Sequence, residues 1–165
     1  MDLTEITHTS LLAIYLNDHL AGATGGVSLI ERTAEAHRGT PAGPPLTKLA
    51  VEIAKDRAAL LDVMAELDVE VQQYKLAAAW VVERAGRLKL NGHLLSRSPL
   101  SSVVELEGLK LGVEGKTALW RSLRSLADDD PRLDATRLDE LIARAQEQGR
   151  TLEELRIAAV AAAFA

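Results

Sequence analysis

The chain has 165 residues, no cysteine and a formal net charge of −5, which allows one well-buried core and excludes disulfides, thiolate zinc sites and thiol catalysis. The acidic balance gives no global attraction to nucleic acid or to an anionic membrane surface. Hydrophobic residues make up 47% but aromatics only 3%, so alanine, leucine and valine must fill the core, which favours closely packed helices.

Apolar residues recur at helical spacing along nearly the whole chain, and no segment alternates as a strand would. The first predicted helix runs from Ile6 to His37 and stops at Gly39, and the segment TPAGPP, Thr40–Pro45, is a loop. A second helix begins near Pro45 and carries Leu46, Leu49, Ile53, Leu60, Met64 and Leu67 on one face. A third carries Val71, Tyr74, Ala78, Val81, Ala85 and Leu88 and ends at Asn91-Gly92. A break near Asp68 lets the chain fold back on itself; one continuous helix is the alternative, since neither glycine nor proline marks the join.

Ser98-Pro99 supplies an N-cap followed by proline in the first helical position, and starts a fourth helix running to Ala127. The DDDP segment, Asp128–Pro131, stops it. Asp134–Gln148 reads as a fifth helix closed by Gly149. Thr151 and Glu154 have capping-box spacing and open a sixth. The expected architecture is one all-α domain spanning 1–165, with an antiparallel four-helix bundle in 1–127 and an appended C-terminal helical hairpin in 128–165.

Six glycines lie inside these helices: Gly22, Gly25 and Gly26 in the first, and Gly108, Gly112 and Gly115 in the fourth. Each costs about 1 kcal/mol relative to alanine, roughly 5 kcal/mol for six. Such a stripe suits two helices that pack tightly through their backbones, or that leave room for something between them.

At about 100° per residue, Asn17, Thr24, Ser28, Glu31 and Glu35 form the polar side of the first helix, opposite Tyr15, His19, Gly22 and Gly26. His19 points to the core, with Asp18 at its margin. Arg57 falls among Ile53, Leu60, Leu61 and Met64, with Asp56 at the edge. Tyr74 is inward on the third helix, and Glu105 lies near the glycine stripe. Buried charge has to be paired or coordinated, which makes Asp18 and Glu105 the candidate partners of Arg57. Tyr15, Asp18, His19, Arg57, Tyr74 and Glu105 therefore form a satisfied polar network, a small-molecule pocket, or a metal site.

A di-iron bundle site needs a carboxylate on each of two helices and Glu-x-x-His on the other two. No Glu-x-x-His occurs in the chain, so no metal ligand set and no cofactor is assigned. Gly22-x-x-Gly25 and Gly108-x-x-x-Gly112 sit within helices, not between strand and helix, and are not phosphate loops. Arg84, Arg87, Lys89, His93 and Arg97 form a basic run without interleaved aromatics, which suits a solvated helix end better than a nucleic-acid surface. Leu76 and Trp80, off the main apolar face of the third helix, would seat the C-terminal hairpin or a second copy of the chain. MDLTEITHTS lacks the basic-then-apolar pattern of a signal peptide, and the longest apolar run, Ile157–Ala165, is too short to span a bilayer. A cytoplasmic location is expected.

The segments YLNDHLAGATGG, GRLKLNGHLLSRSPLSSVVELEGLKLGVEGKTALW and DDDPRLDATRLDELIARAQEQGRTLEELR resemble a family of small actinobacterial helical proteins. That family is similar to the ferritin-like four-helix-bundle class. The resemblance covers nearly the whole chain and implies a ferritin-like bundle without implying an activity. The missing Glu-x-x-His pair argues against iron storage, ferroxidase or oxygenase chemistry. The expected role is non-enzymatic, through a protein partner or a small molecule and with neither nucleic acid nor membrane as partner. The alternative is a degenerate metal-binding or oxidative-stress protein.

Overall fold

Side-chain caps open two of the helices in the computed structural model, which describes residues 3–72 and 98–165. Within them are four helices and no strand: α1 (Leu3–Ala36), α2 (Gly43–Glu66), α3 (Pro99–Leu126) and α4 (Ala135–Phe164). Ser98 Oγ accepts from Leu100 N–H at 3.3 Å ahead of Pro99, and Asp134 Oδ1 accepts from Arg137 N–H at 3.1 Å. Each satisfies one of the N–H groups that a helix start leaves open. Between α1 and α2 the chain turns through Gly39, whose φ of +85° suits glycine. Gly43 then opens α2 where a Cβ would lie 2.8 Å from the His37 carbonyl oxygen.

The break near Asp68 is present, and its mechanism is local. Val69 N–H reaches back to Met64 O at 2.8 Å, and Asp68 N–H to Ala65 O at 3.2 Å. Asp68 sits at φ +55°. These are the paired bonds of a Schellman motif. Met64 and Val69, both buried, supply the apolar contact that accompanies it. The predicted third helix from residue 73 onward, with Tyr74, Leu76, Trp80 and the basic run Arg84–Arg97, lies outside the described residues.

The C-terminal hairpin is replaced by one continuous helix. Gly149 does not end it. This glycine is buried, and a Cβ there would meet Val113 and Glu114 of α3 at 3.9 and 3.8 Å. Thr151 Oγ1 donates to Glu147 O one turn back, as a mid-helix threonine does. Close contact with α3 offsets the helix cost of glycine, so α4 packs along α3 as the fourth member of the bundle.

Side-chain pairs fix the directions. Along α1 and α3, Tyr15 meets Ser122, Leu29 meets Gly108, Thr33 meets Glu105 and His37 meets Ser102, so these helices are antiparallel. Along α3 and α4, Arg124 meets Asp139, Lys116 meets Gln148 and Lys110 meets Glu153, again antiparallel. Asp62 and Glu66 of α2 meet Arg137, and Asp56 meets Arg144, so α2 is antiparallel to α4. α1 and α2 form a fourth antiparallel pair across the short turn. It follows that α2 and α3 run the same way. The chain leaves α2 at one end of the bundle and enters α3 at the other.

The core lies between these faces: Leu16, Leu20 and Ile30 of α1, Leu46, Leu60 and Met64 of α2, Leu106, Leu119, Trp120 and Leu123 of α3, and Leu138 and Leu152 of α4. The register between Tyr15–Ser122 and Leu29–Gly108 sets Gly22–Gly26 opposite Gly112–Gly115. A Cβ built at Gly22, Gly26, Gly112 or Gly115 would meet nothing within 4 Å. A Cβ at Gly108 would meet Leu29 Cδ2 at 3.6 Å, and Gly25 is buried. The tight backbone packing expected of the stripe is not seen at these five glycines: Gly22 and Gly112 are exposed, and Gly108 makes only an ordinary contact with a side-chain methyl.

These glycines should respond in opposite senses. Gly112 is exposed in mid-helix, so Gly112→Ala should stabilise by about 0.5–1 kcal/mol in urea denaturation. Gly43→Ala meets a backbone carbonyl and should destabilise by about 1–3 kcal/mol. Equal effects of the two changes would contradict the packing described.

Candidate functional site

The polar centre of the bundle is Asp56. On α2 it shares the buried face with Ile53, Ala59 and Leu60, so its carboxylate enters the interior and the residue is only 2% exposed. Lys116 of α3 donates from Nζ to Asp56 Oδ2 and to Gln148 Oε1, each at 2.5 Å. Gln148 of α4 donates from Nε2 to Asp56 Oδ2 at 3.0 Å and to Glu52 Oε2 at 3.4 Å. Arg144, also on α4, donates from Nε to Asp56 Oδ1 at 2.7 Å, and its Nη2 contacts the same oxygen. Lys48 stands 3.7 Å from Glu52 at the outer edge.

Three helices therefore meet on one carboxylate. Asp56 and Glu52 carry two negative charges, and Lys116 and Arg144 two positive ones, so the inner cluster is balanced. Burial holds the Lys116 ammonium below its usual pKa; the attraction and hydrogen bond of Asp56 oppose this, and nearby Arg144 adds to the lowering. Desolvating an ion pair costs several kcal/mol per ion unless remaining bonds are made, and here they are made by Gln148. Outside the cluster the α3–α4 rim continues with Lys110–Glu153 at 3.0 Å and Arg156–Glu153 at 2.7 Å. Hydrogen bonds from Arg156 and Lys110 hold the Glu153 carboxyl down at about 2.

The residues singled out from sequence are not gathered at this centre. Tyr15 and His19 do touch, ring edge to face with centroids 4.5 Å apart, and Tyr15 OH donates to Ser122 Oγ at 3.3 Å. Burial lowers the His19 pKa, and adjacent Asp18 partly opposes it. Asp18 itself is exposed. Arg57 is half-buried, not fully inward. It donates from Nε to Thr24 Oγ1 at 3.0 Å, and neither Asp18 nor Glu105 pairs with it. Glu105 accepts from Thr33 Oγ1 at 3.4 Å, further along α1. Among the described residues these contacts lie at separate levels along α1.

Asn17, placed on the polar side by its helical angle, is 1% exposed. Its Nδ2 donates to Glu70 O at 3.0 Å and to Ala13 O at 2.9 Å, and its Oδ1 accepts from Gln72 N–H at 2.7 Å. The amide thus serves as a peptide-like partner for the segment that follows α2. Trp120 Nε1 is buried without a hydrogen-bond partner among the described residues. The same residues contain no group of three or more His, Asp or Glu side chains placed to hold a metal ion, and no helix long and apolar enough to cross a membrane.

A comparison of the chain with protein-family models, curated proteins and solved structures finds no match.

Two measurements test the site. Asp56→Ala strands Lys116 and Arg144 and should cost about 3–5 kcal/mol. Adding Lys116→Met to Asp56→Leu should recover part of this, with a coupling of about 1–3 kcal/mol in a double-mutant cycle. Independent effects would deny the pair its central place. For His19, the folded pKa lies below the ordinary value of 6.5. The unfolded chain then takes up the proton first, so this stability is complete above pH 6.5 and is lost as pH falls through the folded pKa. His19→Phe should flatten that decline in thermal melts recorded on both sides of pH 6.5; an unchanged pH profile would count against His19 as its source.

Proposed function

We propose that this chain is a non-enzymatic, ferritin-like bundle that works in the cytoplasm by protein interaction or small-ligand binding. Its connectivity supports the ferritin-like part. Two antiparallel helix pairs joined by one connection running from end to end is the threading of ferritin-like folds, as opposed to the simple up-down-up-down bundle.

The observation that carries the functional part is the use made of Asp56. In the metal-loaded members of that class, inward carboxylates are ligands. Here both Asp56 oxygens accept hydrogen bonds from Lys116, Arg144 and Gln148. An ammonium group stands where a cation would be held. The interior is thus committed to holding the helices together, and recognition falls to the outer faces. The metal-binding alternative keeps one favourable feature, since Glu52 and Asp56 lie one turn apart and both reach Gln148.

Elemental analysis of protein purified without chelators separates the two. The proposal expects iron, manganese and zinc far below one per chain, and no thermal shift on adding them. Stoichiometric metal that is lost in Asp56→Asn would overturn it.

A further inference from the structure

The outer side of the α1–α2 pair carries an open groove of about 480 Å³, lined by Glu31, Ala50, Val51, Ala54, Lys55 and Ala58. Ala50, Ala54 and Ala58 recur every fourth residue and form a ridge with nothing larger than a methyl group. Val51 projects beside it, 53% exposed. Glu31 on one rim and Lys55 on the other are exposed, and neither is held in an ion pair among the described residues.

We propose that this groove is a homodimer interface. Two copies pack α2 against α2 about a two-fold axis. Val51 of each sits on the alanine ridge of the other, and Glu31 of each pairs with Lys55 of the second copy. The inference rests on the reading that the chain acts through protein interaction, and names a second copy as the partner.

Self-complementarity carries the choice. A two-fold interface must present the same patch from both sides, so that residue i meets j and j meets i. This patch holds one acid, one base, one projecting side chain and one row of small residues to receive it. The chain as a whole has a charge of −5, so two copies carry a net mutual repulsion. The groove carries one charge of each sign and is locally neutral, and juxtaposition there replaces like-charge repulsion with two opposite-charge pairs. The alanines let two helix axes come within about 8 Å. An acidic or basic peptide would meet one repulsive rim in the same groove. A single helix-pair face falls at the small end of specific interfaces, below about 1,200 Å², so the dimer forms and dissociates with concentration.

Sedimentation velocity on the full chain, from about 1 µM to about 1 mM, reads this directly. The expected result is a shift from monomer to dimer across the range. Ala54→Arg should remain monomeric throughout with an unchanged melting temperature, because Ala54 is exposed. Ala58→Arg, one turn away, gives the same reading should Ala54→Arg disturb folding. Lys55→Glu should weaken association at least tenfold, and Glu31→Lys added to it should restore association. A wild-type chain that stays monomeric, a dimer indifferent to Ala54→Arg and Ala58→Arg, or a double charge reversal that fails to restore would each overturn the proposal. None of these results depends on the metal content of the protein, so the two readings fail separately.

Discussion

A carboxylate withdrawn from water inside a helical bundle has to be neutralised there, and Asp56 imposes that requirement on three helices at once. Lys116 must arrive from α3, and Arg144 and Gln148 from α4. One turn of slippage in any of these helices would leave a buried charge uncompensated, a far larger penalty than the loss of one apolar contact. The remaining ion pairs agree with the same register. Asp62 and Glu66 meet Arg137 on one side of Asp56, and Lys110 meets Glu153 beyond it. These pairs are partly exposed and contribute little stability individually. Their value lies in matching the alignment that Asp56 demands.

Much of the fold could be read from caps and turns, because those signals are local. Ser98-Pro99, Asp134 and Gly39 act where the sequence places them. The break after α2 was harder to see, because a non-glycine residue, Asp68, takes the left-handed position. Gly149 misleads in the other direction. Its helix cost is plain in the sequence, whereas the nearby α3 surface that offsets it is not.

The polar centre was less legible for a similar reason. A helical wheel ranks residues by the polarity of their own helix. Asp56 sits at an edge by that measure, and only the arrival of α3 and α4 turns it into the middle of a network. Asn17 was likewise assigned to solvent, because the chain that covers it, Glu70–Gln72, returns from elsewhere. Arg57 was assigned inward and stops halfway at Thr24. Tyr15 reaches Ser122 of α3, and His19 packs its ring against Tyr15 within α1. Arg57 and Glu105 meet α1 at other levels, at Thr24 and Thr33, because a helical wheel shows the face a residue shares and not its height along the partner helix.

The end-to-end connection between α2 and α3 bears on how the molecule forms. α1 with α2 and α3 with α4 are each joined by short turns, so most of their contacts are close in sequence and can be made early. The Asp56 cluster and the α1–α3 seam join residues far apart in the chain. They can be completed only after the two hairpins meet in the right orientation. Folding should therefore divide into fast pairing within each half and slower docking between halves, with Asp56 among the last groups to leave water.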